Sequence, residues 1–112
     1  MMTKRQALIS ALANIVNPIY FGRNYDTYIM YCKTVVSMLD DFKTSCHICD
    51  DVIRMAQSEI ETIIACVKYQ NKAIDSCWNK LKVLNECVAI STDTTATWDE
   101  YEKAYKTAYE IF

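Results

Sequence analysis

Between Tyr25 and Val88 the chain carries an almost unbroken apolar grid with steps that alternate strictly between three and four residues. The grid reads Tyr25, Tyr28, Cys32, Val35, Leu39, Phe42, Cys46, Cys49, Ile53, Ala56, Ile60, Ile63, Val67, Gln70, Ile74, Cys77, Leu81, Leu84 and Val88. Only Gln70 is polar. At 52% apolar composition, chance would fill about ten of these positions, so the pattern is helical periodicity. This spacing excludes strands, which alternate with period two, and predicts an all-α chain with one long buried seam.

Two architectures satisfy the seam. One is an antiparallel helical bundle of four to five helices that closes on itself. The other has one long central helix and coiled-coil-like self-association, in which the grid pairs with a second copy. A continuous helix from Ser45 to Ile90 would span roughly 70 Å at 1.5 Å per residue, too long for a lone chain to cover. Pro18 and Gly22 are the only proline and glycine. From Arg23 onward the usual helix stops are therefore missing, which keeps both architectures open.

Local signals divide the chain into helices near residues 4–17, 24–43, 46–69, 72–90 and 97–111, with the third and fourth separate or fused. Asn24 is a natural N-cap for the helix opening at Tyr25. Ser45 can cap the next helix, whose first turns hold Asp50 and Asp51, where acids suit the dipole. Thr97 followed by Glu100 forms a capping box. Thr92 to Thr97 contains poor helix formers throughout, and Tyr69-Gln70-Asn71 is the one place where the seam weakens. Upstream, Leu8, Leu12, Ile15 and Ile19 share a face, flanked by Ala11 and Val16. With 112 residues and no linker-like segment, the chain reads as a single helical domain, 1–112.

The net charge of −2 argues against a nucleic-acid polymer as partner, since nothing here neutralises a phosphate backbone. Residues 1–25 nevertheless carry Lys4, Arg5 and Arg23 with no acid. Residues 91–112 carry five acids against Lys103 and Lys106. The most apolar stretch, Ala7 to Ile19, is interrupted by Ser10, Asn14, Asn17 and Pro18. No membrane span and no signal peptide is expected, and the reading is cytoplasmic.

Six cysteines lie at 32, 46, 49, 66, 77 and 87. Four fall on the grid and the other two directly before grid residues, as expected for thiols that fill a core in a reducing compartment. Cys46 and Cys49 stand apart as a Cys-x-x-Cys pair. That pair is half of a zinc site with no second half, or a place for a soft ion such as Cu(I) on one helical face. It could also be a redox pair, although the strand that usually precedes such a pair is absent. His47 is the only histidine, and no glycine-rich phosphate loop or paired metal-binding motif is present. An enzyme is not expected, and no cofactor is implied.

Aromatic residues supply the remaining candidates. Tyr101, Tyr105 and Tyr109 repeat every four residues along the last helix, with Trp98 near the same side. Such rings make protein-binding surfaces, because a rigid amphipathic ring buries area at low entropic cost. Tyr20, Phe21, Arg23 and Tyr25 form a second group, in which rings could stack on a nucleotide base while the guanidinium takes its phosphate. The sequence thus leads to a non-enzymatic helical protein that binds a protein partner, as adaptor or inhibitor, and self-associates. A cysteine-lined bundle holding a soft metal and a nucleotide-sequestering oligomer are the alternatives.

Overall fold

Three helices begin where the sequence gives their free amides an acceptor. Thr3 opens the first with a reciprocal box: its hydroxyl accepts from the Gln6 amide at 3.0 Å, and the Gln6 side chain accepts from the Thr3 amide at 2.9 Å. Asn24 accepts from the Thr27 amide at 3.1 Å, and Thr97 forms the same kind of box with Glu100. In a computed structural model describing residues 1–17, 24–44 and 46–112, these caps open α1 (Lys4–Ile15), α2 (Tyr25–Asp40) and α5 (Trp98–Ile111). Between them lie α3 (His47–Lys68) and α4 (Ile74–Ser91), and no strand occurs among the described residues. The molecule is an all-α bundle.

The expected cap at Ser45 lies outside the described residues. Cys46 holds the N-cap position of α3 without a side-chain capping bond. Order comes instead from Asp50, whose carboxylate accepts from the Thr44 amide at 2.6 Å. The Thr44 hydroxyl in turn accepts from the Cys46 amide at 3.0 Å.

α3 and α4 are separate helices, and the one polar grid position is the hinge between them. Gln70 adopts φ 54°, the left-handed region. Its amide donates to the Val67 carbonyl at 3.3 Å and the next amide, of Asn71, donates to the Cys66 carbonyl at 2.8 Å. This is the paired closure that normally falls to glycine. A side chain in this region costs about 1 kcal/mol. Replacing Gln70 with glycine is therefore expected to stabilise the protein by roughly 0.5–1 kcal/mol in urea unfolding. A loss of stability would show that the Gln70 side chain contributes something the backbone geometry does not reveal.

The helices close a ring. α1 packs on α2 and α4, α2 on α3, and α3 on α4, while α5 lies against α3 and α4 from outside. Side-chain bonds fix the antiparallel sense of neighbours. Asn14, late in α1, donates to the Tyr31 hydroxyl near the start of α2 at 3.1 Å. Gln57 of α3 donates to the Val36 carbonyl late in α2 at 2.9 Å, and Arg5 at the start of α1 donates to the Ala89 carbonyl at the end of α4 at 2.6 Å. The grid fills the interior: Val35, Leu39, Ile53, Ile60, Ile63, Leu81, Leu84 and Val88 are fully buried. Leu8, Leu12 and Ile15 of α1 complete the core, whereas Ile19 lies outside the described residues. The seam is thus covered by the chain's own helices, not left open for a second copy.

A second buried column flanks the grid on α3. Val52, Glu59 and Cys66, seven residues apart, each precede a grid position and are buried. Helix α5 buries only Ala104 and Ala108 fully, small side chains that let its backbone approach closely. Glu59 is the exception in that column, 6% exposed with one carboxylate oxygen lacking a partner.

Candidate functional site

Three places on this scaffold could act. The first is the outer shoulder of α5. At 100° per residue, Trp98, Tyr105, Tyr109 and Phe112 project within about 60° of one another, roughly a quarter turn from the buried alanines. Trp98 is 61% exposed, Tyr109 68% and Phe112 53%. Tyr105 is half-buried and packs against the core, its ring centroid 6.1 Å from that of Tyr109. Tyr101 has another task. Its hydroxyl donates to the Asp93 carbonyl and ties the start of α5 to the loop after α4. Of the four expected partner-binding residues, the structure presents Trp98 and Tyr109 outward and uses Tyr101 and Tyr105 largely as packing. Beside the ring stripe lies an exposed charged face with Asp99, Glu102, Lys103, Lys106 and Glu110, where Lys106 bridges Glu102 at 3.1 Å.

The second place is the end of the bundle where α1, α3 and α5 begin and α2 and α4 finish. A cleft of about 620 Å³ opens there, bordered by Arg5, Lys43, Cys46, Cys49, Ser91 and Tyr101, among others. The Cys46 and Cys49 sulfurs lie 2.9 Å apart. Cys46 is half-buried at the helix N-cap, while Cys49 is 3% exposed in the first turn. Burial pushes the Cys49 thiol up from its ordinary value, reinforced by Cys46 and by the Asp50 carboxylate. The Tyr101 hydroxyl is pushed up as well, first by burial and then by the neighbouring Cys49 and Asp93. Arg5 spans the rim, donating to the Thr92 hydroxyl at 3.3 Å as well as to Ala89. The Ser91 hydroxyl, on the same wall, is buried with no hydrogen-bond partner among the described residues. Among the described residues no third His, Cys, Asp or Glu joins the pair in a group that could hold a metal ion. His47 is exposed.

The opposite end carries the third place, an apolar cleft of about 550 Å³ lined by Asn24, Tyr25, Tyr28, Val67, Ile74 and Trp78, with Lys72 and Asp75 near its mouth. Two of these rings are locked: the Tyr28 hydroxyl donates to the Ile15 carbonyl at 2.5 Å and accepts from the Trp78 indole at 3.0 Å. Tyr25 is the one member of the expected ligand-binding group found here, 58% exposed. Tyr20, Phe21 and Arg23, the other members of that group, lie outside the described residues.

Sequence reasoning did not single out Arg5 or Ser91 as members of a site. The Thr3–Gln6 spacing that opens α1 beneath Arg5 is a capping-box signal in the sequence. Ser91 has no comparable signal in the sequence. Among the described residues no helix is long and apolar enough to cross a membrane. Compared with protein-family models, curated proteins and solved structures, the chain matches none.

Proposed function

We propose that this protein acts by protein–protein binding and not by catalysis, through the ring-bearing shoulder of α5, and that a second copy of the chain is the partner it takes there. The reading rests on one observation: α5 buries only two alanines fully and leaves Trp98, Tyr109 and Phe112 more than half exposed. Large rings held on a rigid helix are what contact hot spots are built from. The charges beside them are self-complementary. In an antiparallel pairing of two α5 helices about a two-fold axis between Glu102 and Lys103, Asp99 faces Lys106 and Glu102 faces Lys103. Such an isologous contact closes as a dimer. Three exposed rings supply on the order of 100 Å² each per copy. With the flanking charged side chains, two copies approach the roughly 1,000 Å² that a specific interface needs. An adaptor or inhibitor of this kind would act as the dimer.

Sedimentation across a dilution series tests this. The unaltered protein should pass from dimer to monomer on dilution, and Trp98→Ala combined with Tyr109→Ala should be monomeric throughout with unchanged helical content. Both side chains are outside the core, so their loss leaves the bundle intact. A wild-type monomer at every concentration overturns the reading, as does a dimer indifferent to both substitutions.

A further inference from the structure

The Cys-x-x-Cys pair at the start of α3 has a geometry that neither core filling nor metal binding requires. Five of the six cysteines are buried; Cys46 is the half-buried one, and it lines the cleft together with Cys49. Its sulfur is already in contact with that of Cys49 at 2.9 Å, against about 2.05 Å in a disulfide. The remaining distance is less than one ångström, and Cys46 stands at the N-cap, just outside the regular helix. Cys46 has φ −80° and ψ 106°, an extended backbone without a side-chain capping bond to hold its sulfur elsewhere.

We propose that Cys46 and Cys49 form a thiol–disulfide exchange site that accepts a small disulfide through the cleft between Arg5, Lys43 and Tyr101. Cys46, the accessible sulfur, gives up its proton and attacks one sulfur of the incoming disulfide. A Cys46–sulfur bond forms, the incoming sulfur–sulfur bond breaks, and the first thiolate leaves and takes up a proton. Cys49 then loses its proton and attacks the Cys46 sulfur, which closes the internal disulfide and expels the second thiol. The protein loses two electrons and two protons, and the disulfide is reduced to two thiols. The order of attack follows from burial. The Cys49 thiol, only 3% exposed, is the poorer first nucleophile, and it already lies in contact with the Cys46 sulfur that it attacks in the second step. The exchange does not depend on the α5 contact, since neither sulfur is on α5.

Glutathione disulfide is the probe, with peptide mapping by mass spectrometry on the folded, fully reduced protein. The unaltered chain should lose the mass of two hydrogens, with the new bond confined to the peptide that carries Cys46 and Cys49. Cys49→Ser should stop at the intermediate, one glutathione bound at Cys46. Cys46→Ser should react at least about tenfold more slowly. If a serine variant loses helical content, the corresponding alanine variant takes its place, and the map of the unaltered protein needs no variant at all. Three results overturn the proposal: glutathione on Cys32, Cys66, Cys77 or Cys87 in preference to Cys46, a Cys46→Ser chain as fast as the original, or an unaltered chain that stays reduced.

Discussion

Raising the pH above about 9 is expected to unfold this protein within roughly two pH units, even with reductant present. The cause is the set of thiols used to fill the core. Burial pushes the Cys32 thiol from its ordinary value of 9.0 up to about 12, and Cys49, Cys77 and Cys87 are raised in the same direction, again chiefly by burial. A group whose folded-state pKa is raised stabilises the fold fully below its unfolded pKa. That contribution is lost as pH climbs through the interval to the folded value. Across pH 9 to 12 the unfolded chain releases thiol protons that the folded chain retains, so Cys32 alone removes about 1 kcal/mol per pH unit. The other three add to that slope. Tyr28 does too: it is raised by burial, and its hydroxyl must stay protonated to donate to the Ile15 carbonyl. Against a total stability of about 5–15 kcal/mol, several such groups suffice. Far-ultraviolet circular dichroism against pH checks this, and full helicity at pH 12 would mean that the thiols are not buried as described.

Ile60→Ala should cost about 2–5 kcal/mol. Ile60 is fully buried on α3, the helix that contacts α2, α4 and α5. Truncation removes the transfer free energy of three methyl or methylene groups and leaves a cavity that three packed neighbours cannot all relax into. The loss should be the same in dilute and concentrated protein, because the chain's own helices cover this seam. Urea unfolding at two protein concentrations measures both points. A cost below about 1 kcal/mol would put Ile60 outside a packed core. A cost that grows with concentration would put it between two chains.

The grid made the helices legible and weakened at Gln70, its one polar position, but it left α3 and α4 separate or fused. What it could not decide was who covers the seam. A three-four spacing serves an antiparallel bundle and a coiled coil equally, because both pack by the same ridges and grooves. Closure depends on where the turns fall, and Gln70 takes a left-handed conformation with no glycine to announce it. A second buried column on α3, the seven-residue series Val52, Glu59 and Cys66, was written more faintly beside the main grid. Glu59 disguises that column, since a carboxylate there reads as solvated. The tyrosine ladder was legible as a stripe but not as a division of labour. Tyr101 turns to the Asp93 carbonyl because the loop after α4 folds beneath it, a contact that helical spacing does not encode. The Cys-x-x-Cys pair was visible at once, but the contact between its sulfurs and the cleft before them arise only when five helix ends meet.

The most direct test of the account is amide hydrogen exchange measured at high and low protein concentration. A closed α1–α4 bundle that pairs through α5 predicts added protection in concentrated protein, confined to residues 98–112, with α3 and α4 equally protected at both concentrations. Concentration-dependent protection running along α3 and α4 instead would mean that the apolar grid meets a second chain, contradicting both the closed bundle and the assigned contact surface.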